Sequence, residues 1–150
     1  SNCTADCVKV FEYGEMVVLT AVSPISSTFT GWSGAIVTTT NPITLTMDAA
    51  KAVTATFALD QHTLSLAFAG NGAGTVNFNP PNSNCTADCV KVFEYGEMVV
   101  LTAVSTPYST FISWGGDCVG LTCVVTMDGD KNVSALFSTY TLFLPLVAKP

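Results

Sequence analysis

Apolar and polar residues alternate in short runs along most of the chain. Ile43, Leu45 and Met47 are separated by Thr44 and Thr46, and Val53, Ala55 and Phe57 by Thr54 and Thr56. Leu64, Leu66 and Phe68 continue the pattern, and residues 16–23, 75–78 and 98–105 read as further strands. A period of two gives a strand one face for a core and one for solvent. No long stretch carries helical spacing, so the pattern predicts an all-β chain. Residues 47–51 and 127–131, each opening Met-Asp and closing on Lys, read as hairpin turns. Gly70-Asn71-Gly72-Ala73-Gly74 reads as a turn, and Asn79-Pro80-Pro81-Asn82 as a break.

The pattern recurs because the sequence does. Residues 1–23 and 83–105 are identical, at an offset of 82. Beyond that block Phe29 and Trp32 match Phe111 and Trp114, and after a two-residue length difference Thr46-Met47-Asp48 matches Thr126-Met127-Asp128. Ile36 falls in the place of Cys118 and Ile43 in that of Cys123, so an apolar pair in one copy replaces a cysteine pair in the other. That exchange fits two positions facing a packed interior. The predicted organisation is a first module over 1–60 that lacks its opening strands, a second over 61–138, and a C-terminal strand or tail over 139–150.

Cysteines occur in close pairs, Cys3/Cys7, Cys85/Cys89 and Cys118/Cys123. An even count at short spacing points to three local disulfides and an oxidising compartment. A bridge closing so short a loop constrains little chain entropy, and about 2 kcal/mol is expected from Cys118–Cys123 at best. Metal binding fits poorly, because zinc sites need two close pairs brought together and commonly a histidine.

With these elements in order, the chain resembles the divergent internalin-type B-repeat found in tandem in secreted bacterial surface proteins. The resemblance rests on Gly70, Gly72, Gly74 and Val76, Cys85 and Cys89, Tyr95-Gly96, residues 100–103, Phe111, Trp114 and Gly116, Cys118 and Cys123, residues 125–128, and Val133, Ala135 and Phe137. It implies a small β-rich module serving as a spacer or adhesive element, with no shared catalytic residues.

Composition narrows the function further. Of 150 residues, 5 are Lys or Arg against 11 Asp or Glu, for a net charge of -6, and 49% are hydrophobic. There is no arginine. Five scattered lysines cannot displace the counterions of a nucleic acid or coat an anionic membrane. Thr, Asp and Lys recur too often for a helical membrane span. The start Ser-Asn-Cys, without Met or a signal-peptide pattern, suggests a processed product or an excerpt.

A few other residues are of types that can carry chemistry. His62, the single histidine, reads as a solvated linker residue near Asp60. Glu12/Glu15 and Glu94/Glu97 recur beside Tyr13 and Tyr95, as scaffold features would, although paired carboxylates can serve glycoside hydrolysis. Asp128 to Asn132 lacks the spaced ligands of a calcium loop. Asn2, Asn84 and Asn132 begin glycosylation sequons. Trp32, Trp114 and Tyr108 can form a sugar-stacking face; Tyr108 replaces Ile25 or Ser26 of the first copy, and Tyr108 with Trp114 are the candidate ligand contacts.

The tail remains. Thr141, Leu142, Phe143 and Leu144 align with residues 63–66, and Leu146 with Phe68. Three readings stand: a strand donated to the incomplete first module of a neighbour, a strand folded back on its own module, or a surface-sorting tail. The expectation is an extracellular or cell-surface structural protein, not an enzyme, without cofactor or metal, assembling head to tail with copies of itself. The alternative is an adhesion or carbohydrate-binding module of a larger secreted bacterial protein that contacts surface glycans.

Overall fold

The computed structural model describes residues 3–141. Those residues form twelve strands and no helix. They are β1 (Met16–Leu19), β2 (Ser27–Gly34), β3 (Ile43–Thr46), β4 (Val53–Leu59), β5 (Gln61–Gly70), β6 (Gly74–Asn79), β7 (Ser83–Cys85), β8 (Cys89–Glu94), β9 (Met98–Ser105), β10 (Ser109–Gly116), β11 (Cys123–Thr126) and β12 (Lys131–Thr139). The chain divides between Asp60 and Gln61 into two compact units.

The second unit is a sandwich of two four-stranded sheets, ordered β10-β12-β5-β8 and β11-β9-β6-β7. The alternating residues of both sheets point into one core. Leu64, Leu66, Phe93, Trp114, Val133, Ala135 and Phe137 come from the first sheet, and Val76, Phe78, Val99, Leu101, Cys123 and Val125 from the second. Pairing is antiparallel except between β5 and β12, which run parallel from Leu64–Lys131 to Gly70–Phe137. The first unit holds two two-stranded sheets, β1-β3 and β2-β4. They correspond to β9-β11 and β10-β12, and the bulge after Phe29 recurs after Phe111.

Two expectations are corrected. Residues 47–51 and 127–131 are not hairpins. β3 pairs with β1 and β4 with β2, and β11 and β12 also lie in different sheets. Each turn is therefore an arch from one sheet to the other. Alternation shows which face of a strand is apolar; here the two apolar faces meet across a core instead of lying side by side. An ion pair clips each arch, Lys51 to Asp48 at 2.6 Å and Lys131 to Asp128 at 2.5 Å. Second, the strand expected over residues 16–23 stops at Leu19, whereas the identical residues of the other copy fill β9 to Ser105.

The three cysteine pairs are bridged as Cys3–Cys7, Cys85–Cys89 and Cys118–Cys123. Cys118 and Cys123 are buried; Ile43 is buried in the first unit, and Ile36 half-buried. β12 ends at Thr139, and Thr141 is exposed and outside any strand. Leu142, Phe143, Leu144 and Leu146, assigned above to an inter-subunit strand, lie outside the described residues.

Candidate strand-acceptor site

The duplicated block is one sequence in two surroundings. In the second unit it forms β7, β8 and the eight-residue β9. In the first, residues 3–15 form no strand and β1 has four residues. Identical residues have identical propensities, so the difference comes from their partners. β9 pairs with β11 on one edge and with β6 on the other. β1 has only β3 among the described residues. β12 lies between β10 and β5, whereas among the described residues its counterpart β4 has only β2.

Among the described residues the first unit thus carries two open strand edges, on β1 and on β4. Unpaired backbone at an edge is a template for another strand. The side chains beside these edges are uncovered too. Phe93 is 3% exposed and its twin Phe11 is 37%; Phe137 is 1% exposed and its counterpart Phe57 is 38%. In the second unit Phe68 of β5 stacks on Phe137 at 5.8 Å, and Phe78 of β6 on Phe93 at 6.5 Å. Phe57 keeps its other contact, edge-on to Phe29 at 5.8 Å, as Phe137 keeps Phe111 at 5.5 Å. The aromatic walls beside these edges are therefore in place in both units.

The singled-out polar residues serve the scaffold. Glu15 and Glu97 accept hydrogen bonds through Oε2 from the backbone N–H groups of Glu12 and Glu94, at 3.0 and 3.2 Å. Each closes its Glu-Tyr-Gly-Glu turn, which docks on the arch when Gly14 and Gly96 donate to the carbonyls of Met47 and Met127, both at 2.9 Å. His62 is not a linker residue beside Asp60. It lies within β5, half-buried, with Nδ1 3.7 Å from Asp130 Oδ1 and its ring centroid 5.9 Å from that of Tyr95. Asp130 also accepts the backbone N–H of Thr63 at 2.8 Å, which holds its carboxyl below the ordinary aspartate value. Hydrogen bonds from Lys51 and Lys131 do the same for Asp48 and Asp128, and Asp128 in turn raises Lys131. Among the described residues, no group of three or more His, Cys, Asp or Glu side chains is placed to hold a metal ion, and no helix is long and apolar enough to cross a membrane.

Trp114 is corrected as a ligand contact. It is buried at 3% exposure, its ring 5.0 Å from Phe111, and no sugar can stack on it. Tyr108 is 77% exposed at a left-handed position, φ 68°. Its counterpart is Ser26, φ 72°, which resolves the alignment between Ile25 and Ser26. The two residues share a further role. Ser26 accepts the N–H of Asp60 and Tyr108 that of Tyr140, both at 3.0 Å, so the chain leaves β4 and β12 in the same way.

The family profile described as Divergent InlB B-repeat domain matches residues 2–61 and again residues 65–141. The chain belongs to the divergent InlB B-repeat family. Two tandem B-repeats account for the paired units, and with three disulfides they make up a repeat protein of the surface or extracellular kind. No curated protein and no solved structure matches the chain. The open edge of β4 was not found from the sequence, because B-repeat strands that pair across some seventy residues leave no local signal.

Proposed function

We propose that this tandem B-repeat chain is an extracellular structural subunit that joins its neighbours head to tail, its first unit accepting a β-strand from another copy. One observation carries the reading: residues identical in both repeats build three strands in the second unit and, among the described residues, a single four-residue strand in the first.

The connection between repeats supports it. β5 begins one residue after β4 ends. Strands running side by side in parallel need a crossover of about a dozen residues or more, so β5 cannot complete the unit it leaves, and it serves the second unit. The chain leaves β12 past Tyr140 as it leaves β4 past Asp60. With two residues fewer after that point, Thr141, Leu142, Phe143 and Leu144 align in sequence with residues 63–66 and Leu146 with Phe68, so a donated tail would bring Leu146 to Phe57 of a neighbour. Folding back onto β12 is disfavoured, since β10 and β5 occupy both its edges. Disulfides in a small domain suit an oxidising exterior.

The test is assembly before and after deletion of residues 141–150, followed by sedimentation and negative-stain imaging. The full chain is expected to form concentration-dependent fibres and the truncated chain separate particles. Fibres that survive deletion, or a full chain that stays monomeric at high concentration, overturn the proposal. Exposure of Tyr108 favours a second reading, a glycan contact: specific binding on a glycan array, abolished by Tyr108→Ala in a folded protein, would support it.

A further inference from the structure

Asn71, in the turn between β5 and β6, is the one asparagine of the chain that is followed by glycine. That pair is chemically labile. Once the Gly72 nitrogen gives up its proton it can attack Cγ of Asn71, with no side chain of its own in the way. The new C–N bond closes a succinimide ring while the Cγ–Nδ2 bond breaks and ammonia leaves. Water then opens the ring. Opening at Cγ gives aspartate. Opening at the Asn71 backbone carbonyl gives isoaspartate, whose main chain runs through the former side chain. The sum is amide plus water to carboxylic acid plus ammonia, with no oxidant or reductant.

The closed second unit opposes both parts of this step. The Gly72 N–H donates to the Phe137 carbonyl at 3.1 Å, so the nucleophile is held against β12. Asn71 Oδ1 accepts the N–H of Thr139 at 3.1 Å, so the side-chain amide is held against the same strand. The next residue, Ala73, donates to Ser109 Oγ at 3.0 Å and accepts from the Thr106 hydroxyl at 3.0 Å. The Gly72 proton is lost only when its bond to Phe137 opens, and Cγ turns freely onto the nitrogen only when Oδ1 releases Thr139. Asn71 is itself exposed, so water is at hand when the turn lifts.

The fold keeps the labile pair because it needs its glycine. A Cβ on Gly72 would sit 2.7 Å from the Ser138 backbone, and no other residue fits there unless β12 moves. We propose that Asn71–Gly72 is a latent modification site for spontaneous hydrolytic deamidation, shut while the turn after β5 rests on the end of β12 and open when the two part. The two products act differently. Aspartate keeps an acceptor for Thr139. Isoaspartate adds a backbone carbon immediately ahead of Gly72 and Gly74, whose approaches to Ser138 and to the Phe137 ring leave no slack. The turn then cannot reseat. An opening at this joint is thereby written into the covalent chain, and refolding does not erase it.

The test ages the full chain in mildly alkaline buffer over a range of urea concentrations and maps residue 71 by peptide mass spectrometry. Conversion is expected to be at least about tenfold slower in native buffer than in unfolding urea, and to rise in step with hydrogen exchange of the Gly72 and Thr139 amides. Thr139→Pro removes the N–H that Asn71 accepts, and should speed conversion in native buffer while leaving the rate in urea unchanged. The chain converted at residue 71, separated by its added negative charge, should exchange the amides of 131–139 faster than an Asn71→Asp chain. An Asn71→Gln chain aged alongside should keep the exchange pattern of the fresh protein. Equal conversion in native buffer and in urea, no conversion in urea, no acceleration by Thr139→Pro, a converted chain that exchanges like Asn71→Asp, or the same loss of protection in aged Asn71→Gln would each overturn the proposal.

Discussion

A side chain at position 70 would have no room. Gly70 has φ of 90°, and a Cβ there would run into the carbonyl oxygen of Phe137. Gly70→Ala should lower the stability of the second unit by about 1–3 kcal/mol through overpacking and backbone strain. Gly129→Ala, with open space around it, should leave it within about 0.5 kcal/mol. Urea midpoints of the two variants check both. Asp130 gives a pH signature. Its carboxyl is held below the ordinary value by the Thr63 N–H, so its contribution is present above the unfolded-state pKa and disappears as pH falls through the lower folded-state value. Asp130→Asn, which keeps an acceptor for Thr63 but cannot ionise, should flatten the acid limb of the stability profile, lowering stability at neutral pH and leaving it nearly unchanged below the folded-state value. At this scale the sequence was readable wherever a residue acts on its neighbours: the cysteine pairs, and the Ile36/Ile43 exchange. His62 was misread because its partner Asp130 lies 68 positions away.

At the scale of strands, the duplicated block gives a comparison free of sequence differences. Amides over 98–105 belong to a strand paired on both edges, those over 16–19 to one paired on a single edge, and those over 20–23 to no strand. Hydrogen exchange on the intact chain should therefore show slow amides through Ser105 but fast ones beyond Leu19, although the residues are the same. Equal protection in the two copies would contradict the pairing. Alternation located these strands well, including Ile43–Thr46 and Val53–Leu59. It could not choose their neighbours. Thr44 and Val53 show the same pattern whether the turn between their strands is a hairpin or an arch, and only the second sheet decides.

For the whole molecule, core size separates the units. The buried cluster belongs to the second, while Trp32 and Ile43 are the buried apolar residues described in the first. Small units that bury little apolar surface are marginal. Heating should give two transitions, the first unit melting well before the second, with Trp32 and Trp114 reporting them separately in Trp→Phe variants. Merged transitions would mean that the units stabilise each other.

The parallel pair also sets how the second unit bears tension. The chain enters it at the start of β5 and leaves at the end of β12, and these neighbouring strands point the same way. A pull between entrance and exit drags one strand lengthwise along the other. All the paired positions from Leu64–Lys131 to Gly70–Phe137 then resist together in shear, instead of peeling apart one at a time. A thread of such repeats would hold load through its backbone ladders at every joint.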